Sequence, residues 1–315
     1  MSKVKFNEKL FIYVFVEFKQ VKMKLLVLLL FYLLLHAKAQ IRTGPNTQYA
    51  TPTQFPYAVQ IHRNNYDCIC TGSILAPRWV LTAAHCVRDR YQEGENWYGQ
   101  NRRGIYVVAG DISEHVYHPD HPFYGIKRNT HEERRTFNAK HIIHLPHFDR
   151  DYYADLALIF LQESIFFNDR RGSVPLPLPS DSEGILRIGA RCTMMGWGYT
   201  AFRRNFLGKT VQATPSIYLK YDDSVTVGAV WPKRFLFHQR AGGVRTMEGD
   251  SGGPLICTDS DGQKKLFGVL KGGLYDDDRA AVEHYVRLEN PNYKRWIEFT
   301  MRFGQNYASR PATAQ

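Results

Sequence analysis

Short apolar runs, rich in β-branched and aromatic residues, recur along the chain between clusters of Gly, Pro, Asn, Asp and Ser. Trp79-Val80-Leu81, Ile105–Ala109, Leu156–Leu161 and Leu266–Leu270 are too short for stable helices and too apolar for loops, so they predict strands. Val174-Pro175-Leu176-Pro177-Leu178-Pro179 interrupts the series. Proline donates no N–H and cannot sit inside a sheet, so this stretch reads as a connector, near 174–190, between two halves of similar size. Residues 40–66, rich in Thr, Gln, Asn and Pro, predict an extended lead-in. The helical period is convincing only at the end. Asn290-Pro291 offers a cap and a first-turn proline, Tyr293, Trp296, Ile297 and Met301 share one face, and Gly304 predicts the stop. The pattern is that of an all-β chain with a C-terminal helix.

One further apolar block is of another kind. Leu25–Leu35 is eleven residues without a charge, preceded by Lys24 and followed by Ala37-Lys38-Ala39. A basic start, a short apolar stretch and an A-x-A site predict a signal peptide, cleaved after Ala39. Eleven residues are too few to cross a bilayer as a helix, which takes about 20. Met23, directly before this unit, reads as a natural start, with residues 1–22 an upstream extension. The organisation expected is therefore 1–39 as extension and signal peptide and 40–315 as one folded domain, exported to an oxidising compartment where disulfides persist.

Composition changes this picture little. The 315 residues are 44% hydrophobic and 23% charged, which excludes disorder as the dominant state. Aromatic content of 14% with 24 Gly and 15 Pro suits strands and turns better than a helix bundle. The formal charge of +11 raises the question of nucleic acid, but removing residues 1–39 leaves +6, and Lys and Arg are scattered rather than striped. No nucleic-acid partner and no stable membrane insertion are expected.

The most informative segment is Gly249-Asp250-Ser251-Gly252-Gly253-Pro254. A serine flanked by glycines can be held on a tight turn with its hydroxyl exposed, while main-chain N–H groups converge on one point, as stabilising an oxyanion requires. A serine nucleophile also needs a base and a group that orients the base. Thr82-Ala83-Ala84-His85-Cys86 offers a histidine after an apolar strand, and Asp155-Leu156-Ala157-Leu158-Ile159 a carboxylate at the head of another. Each is unremarkable alone. Together, in the order His, Asp, Ser, they match one of the few chain orders in which this chemistry occurs.

On these residues the chain resembles the trypsin/chymotrypsin-like serine proteases. Residues 50–57, Gly72–Leu81 leading into the histidine motif, Met195-Gly196-Trp197-Gly198 and Trp296-Ile297 carry the resemblance over nearly all of 50–304. It implies two six-stranded β-barrels packed together with the C-terminal α-helix, and the site in the cleft between them. It implies Ser251 as nucleophile, His85 as general base and acid, Asp155 as its orienting partner, and the N–H groups of Gly249 and Ser251 as the oxyanion hole. It further implies that Gly273 pairs with extended substrate backbone, that Asp250 pairs with a freed amino terminus, and that Cys70–Cys86 and Cys192–Cys257 are disulfides. Substrates would be proteins or peptides, with a protease inhibitor as a further partner class. The expected molecule is a monomer needing no cofactor and no metal.

The departures from the family are specific. Of five cysteines Cys68 is left over, as a buried inert thiol, a competitor for Cys86 or an intermolecular bridge. Met247 stands where a cysteine normally ties the pocket wall. Arg245, six residues before Ser251, stands where trypsin-like enzymes carry Asp, and Lys271-Gly272-Gly273 replaces Ser-Trp-Gly. Arg245, Lys271 and Gly273 are the candidate substrate-binding residues. An inward Arg245 favours an acidic substrate residue and Glu283 on the opposite wall would neutralise it; either way, selectivity for Lys or Arg is not expected. The best candidate for a freed terminus, Ile41-Arg42-Thr43-Gly44, follows Gln40 rather than a basic residue. His85 and Asp155 are 70 residues apart, more than in compact relatives, and His115, His118, His121 and His131 in the excess read as solvated loops rather than metal ligands. Two functions follow: a secreted serine endopeptidase, or a catalytically poor homologue acting as a binding or regulatory module.

Overall fold

The structure is a computed structural model of the whole chain. It describes residues 48–51, 53–63, 68–88, 98–100, 104–110, 112, 135–146, 148, 154–166, 177–179, 186–199, 201–204, 210–214, 216, 218–231, 234–238, 246–259, 262–274 and 282–307. The described chain begins with a two-residue strand, β1 (Gln48–Tyr49). Then β2 (Ala58–Arg63), β3 (Cys68–Ala76), β4 (Trp79–Thr82), β5 (Tyr98–Gln100), β6 (Ile105–Ala109), β7 (Arg135–His144) and β8 (Ala157–Leu161) form one sheet, in the order β5-β7-β6-β2-β3-β4-β8. A further β7–β8 pairing closes six of these strands into a barrel, with β5 appended.

The second sheet is built the same way. β9 (Arg191–Gly196), β12 (Lys220–Val230), β13 (Arg234–His238), β14 (Pro254–Thr258), β15 (Lys264–Leu274) and β16 (Val282–Arg287) run in the order β12-β13-β16-β15-β14-β9, and β12 pairs back onto β9. β1 extends the far side of β12. The two six-stranded barrels expected from the sequence are thus both present. β10 (Ala201–Arg204) and β11 (Thr210–Thr214) form a two-stranded sheet of their own.

The strands of the first barrel show why apolar runs, not alternation, marked them. β4 and β8 are buried at every position, because one face fills the barrel and the other is covered by neighbouring elements. Ile61, Leu81, Ile105, Leu158 and Val59 have no exposed surface at all. Pro177, in the proline-rich connector, lies outside any strand but its carbonyl accepts the N–H of Leu266 at 2.9 Å.

Two helices complete the described chain: α1 (Ala84–Val87), a single turn, and α2 (Pro291–Tyr307). Asn290 caps α2 as expected, its Oδ1 accepting the N–H of Asn292 at 3.0 Å. Gly304 does not end it, and α2 runs three residues further. This glycine serves contact instead: a Cβ there would meet Trp79 Cη2 at 3.0 Å, a tight approach that the bare Cα avoids where α2 packs on β4. Among the described residues no helix is long and apolar enough to cross a membrane. Leu25–Leu35 lies outside the described residues.

Candidate active site

Strand register brings the histidine and the aspartate together. In the antiparallel β4–β8 pair Thr82 lies opposite Ala157. The chain leaving β4 reaches His85 three residues later, and the chain entering β8 passes Asp155 two residues earlier, so both sit at the same barrel end. His85 rides on α1, which Cys70–Cys86 fastens to β3 with a Cα–Cα distance of 6.1 Å. Asp155 is fully buried; its Oδ1 accepts the main-chain N–H of His85 at 2.9 Å and its Oδ2 lies 2.7 Å from His85 Nδ1. An ionised carboxylate can only accept, so Nδ1 carries the hydrogen and a neutral ring presents its lone pair at Nε2. The His85 side chain is 40% exposed, leaving that nitrogen within reach of a substrate.

Lys271 joins this pair. Its ammonium lies 3.3 Å from Asp155 Oδ2. The sequence placed Lys271 among the substrate-binding residues; the structure places its charge against the carboxylate behind the histidine. Burial pushes the Asp155 carboxyl up. The hydrogen bond and charge of His85, with the Lys271 ammonium, outweigh that and hold it below the ordinary 3.8.

The serine sits on a turn fixed from three directions. Gly249 has φ +94° and Gly252 φ +79°, left-handed geometry that glycine accepts without strain. The Thr71 N–H donates to Ser251 O and the Thr71 hydroxyl to Gly249 O, both at 2.9 Å, so a residue of β3 in the first barrel holds the turn that precedes β14 in the second. The N–H of Gly252 donates to Leu270 O at 2.7 Å and that of Leu270 to Gly253 O at 2.9 Å, which sets the turn beside Lys271. A Cβ on Gly252 would overlap the Thr82 hydroxyl and the Thr71 carbonyl oxygen. Ser251 therefore lies against the segment that carries His85. No hydrogen bond joins Ser251 Oγ to His85 Nε2 in this structure; Nε2 is 3.8 Å from Cys86 Sγ. The N–H groups of Gly249 and Ser251 donate to no acceptor among the described residues.

Asp250 is the hidden centre of the turn. It is buried, its Oδ1 accepts the N–H of Gly198 at 2.8 Å, and its Oδ2 accepts the N–H of Met247 at 2.9 Å together with the ammonium of Lys220. The sequence assigned Asp250 to a freed amino terminus. Ile41–Gly44 lies outside the described residues; among the described residues the cation on Asp250 is Lys220. Neither Lys220 nor Thr71 was singled out in the sequence, because a single Lys or Thr on a strand carries no motif.

The pocket wall is described in part. Arg245 and the histidines 115, 118, 121 and 131 lie outside the described residues. Glu283, buried in β16 opposite Gly273 of β15, accepts the N–H of Thr246 at 2.9 Å on Oε1 and the Thr246 hydroxyl on Oε2. Cys192–Cys257 is present, with a Cα–Cα distance of 4.3 Å, and ties β9 to β14. Cys68 belongs to neither disulfide and is half-buried, its Sγ 3.1 Å from Cys70 O. Among the described residues one group, Cys70, His85 and Cys86, has its donor atoms within 4.8 Å of one another as a metal site would. Both sulfurs are committed to the disulfide, so they are not thiolate ligands.

Two closed six-stranded barrels, with a His–Asp pair at the end of one and a glycine-flanked serine turn leading into β14 of the other, define the two-barrel class of serine proteases and their homologues. The family model described as Trypsin matches residues 45–297. The chain belongs to the trypsin family. It is 30% identical over 241 residues to the human (Homo sapiens) protein named Transmembrane protease serine 5, covering 72% of this chain and 45% of that one. It is also 30% identical over 226 residues to Renal glandular kallikrein of Mastomys natalensis, covering 69% of this chain and 73% of that one. The chain thus spans less than half the length of the first of these relatives. The solved structure titled "Atomic resolution structure of HBP" superposes with a TM-score of 0.59, covering 81% of this chain and 96% of that one, at 22% identity, a likeness of fold.

Proposed function

We propose that this chain is a secreted serine endopeptidase that works through His85, Asp155 and Ser251. The observation that carries the reading is the joining of the His85–Asp155 pair to a serine turn whose two N–H groups have no acceptor among the described residues. Ser251 Oγ attacks the scissile carbonyl carbon while its proton passes to His85 Nε2. The carbonyl oxygen becomes an oxyanion and takes the N–H groups of Gly249 and Ser251, each worth about 10²–10³ in rate at such sites. The C–N bond then breaks, His85 gives its proton to the leaving amine, and an ester on Ser251 remains. Water repeats the sequence, with His85 first taking and then returning a proton, and releases the acid. Asp155 keeps the ring in the right tautomer and supports its transient charge.

Gly273, opposite Glu283 in the β15–β16 pair, is assigned to the substrate backbone, and Arg245 to the pocket floor. Selectivity for Lys or Arg needs a bare anion there. Arg245 supplies a cation, and both oxygens of Glu283 are engaged with Thr246, so polar, acidic or medium apolar residues are the substrates proposed. Export is supported by the segment 25–39 and by the two disulfides.

A fluorophosphonate probe tests the reading directly. The wild type labels covalently, Ser251→Ala does not, and both melt at the same temperature. The second reading, a catalytically poor homologue that binds rather than cleaves, is favoured by the Lys271 cation sharing Asp155. A wild type that stays unlabelled in every form selects it.

A further inference from the structure

We propose that Cys70, Cys86 and His85 become a zinc site when the Cys70–Cys86 disulfide is opened, and that zinc bound there holds α1 in place while taking the histidine out of use. Metal binding stands apart from the protease reading above; only its effect on catalysis rests on that reading.

The three donor atoms lie within 4.8 Å of one another. His85 Nε2 is 3.8 Å from Cys86 Sγ. With Zn–S about 2.3 Å and Zn–N about 2.0 Å, a nitrogen and a sulfur on one tetrahedral ion lie about 3.6 Å apart. That pair is therefore already spaced for a shared metal. The two sulfurs are bonded to each other, whereas on one ion they stand about 3.8 Å apart. Opening the disulfide frees them to separate.

The contact that prepares His85 as a base also prepares it as a ligand. Asp155 Oδ2 lies 2.7 Å from Nδ1, which leaves the lone pair on Nε2 and fixes the ring. A carboxylate behind a histidine is the usual support of a zinc-bound imidazole. Cys70 and Cys86 are buried and the His85 side chain is 40% exposed, so an ion enters from the histidine side and meets its sulfur ligands in a sheltered place. Two thiolates and an imidazole suit Zn²⁺, not Mg²⁺ or Ca²⁺, which take oxygen ligands. Water fills the fourth position.

The steps balance. A dithiol gives two electrons and two protons to Cys70–Cys86 and itself becomes a disulfide, leaving two thiols on this chain. Zn²⁺ displaces one proton from each. The ion then replaces the covalent bond as the link between α1 and β3. His85 Nε2, its lone pair given to the metal, no longer accepts the proton of Ser251.

The test uses the full chain, reduced with excess dithiol and then freed of it without oxygen. Cd²⁺ stands in for Zn²⁺ and is followed by the ultraviolet band of its thiolate complexes. Cys70→Ala/Cys86→Ala keeps the other three cysteines and supplies the background. Reduced wild type is expected to bind Cd²⁺ beyond that background, Asp155→Asn to bind it about 10-fold more weakly, and His85→Ala more weakly still. Fluorophosphonate labelling of the reduced wild type is expected to stop on adding Zn²⁺ and to return with a chelator. The inference is overturned if reduced wild type binds no more Cd²⁺ than the background, or if His85→Ala binds as tightly as wild type. Labelling that persists at saturating Zn²⁺ overturns it too, as does a reduced chain that loses its near-ultraviolet circular dichroism and does not regain it with Zn²⁺. In each case the protease reading stands. If the oxidised wild type never labels, that reading falls, and the Cd²⁺ titration still decides the metal site.

Discussion

Asp155 is buried, carries a charge, and owes that charge to two neighbours on different segments. Its carboxyl titrates below the ordinary 3.8, so it binds a proton less readily folded than unfolded. The stability it contributes is therefore complete above the ordinary carboxylate value and is lost as pH falls through the lower folded value. Urea midpoints measured from pH 5 down to pH 2 should fall less steeply for Asp155→Asn than for wild type. Lys271→Met should move the loss to higher pH, because one of the groups holding the carboxyl down has gone. A Lys271→Met curve that coincides with wild type would show that the ammonium does not act on Asp155. At this scale the sequence was uneven in what it disclosed. His85, Asp155 and Ser251 sit in motifs whose spacing reports their neighbours. Lys271 was visible as an oddity, but whether it faced the pocket or the aspartate depends on a side-chain path that no pattern encodes.

The turn between Gly249 and Pro254 is held by elements that sequence reading treated as scaffolding. Thr71 reaches it with both its hydroxyl and its main-chain N–H. Gly252 is a glycine for two reasons at once, a φ of +79° and a close approach to Thr71 and Thr82. Because one obstructing atom is main-chain oxygen, nothing can swing aside. Gly252→Ala should thus cost several kcal/mol, of the order seen when overpacking and backbone strain combine. It should also abolish probe labelling even where circular dichroism shows folded protein, whereas a labelled Gly252→Ala would mean the turn is softer than its contacts indicate. The strands were legible because a barrel buries both faces of β4 and β8 and so leaves unbroken apolar runs. The extent of α2 was not. Gly304 was read as a stop from helix propensity, and contact with Trp79 overrides that preference.

On the scale of the molecule, the two barrels are pinned differently. Cys70–Cys86 spans 16 residues beside the histidine, while Cys192–Cys257 spans 65 and gathers most of the second barrel. Loop-closure entropy makes the longer bridge the larger stabiliser, about 4 kcal/mol. Cys192→Ala/Cys257→Ala should lower the melting temperature by roughly 10 °C in a domain of this size. A shift under a few degrees would show that packing, not the bridge, fixes β9 on β14. The strand pattern alone predicts an all-β chain with a C-terminal helix; the two-barrel plan comes from the resemblance carried by the motifs around His85, Asp155 and Ser251. The cation on Asp250 could be read from neither, because it depends on which strand β12 lies beside.

The seat of Gly304 on Trp79 has a further consequence while the protein is being made. Trp79 leaves the ribosome more than 200 residues before the glycine that covers it. For much of that interval Trp79 has its Phe160 neighbour but not the helix that packs over it, and contacts so distant in sequence are slow to form. The outer face of the first barrel is thus completed only when the final helix docks.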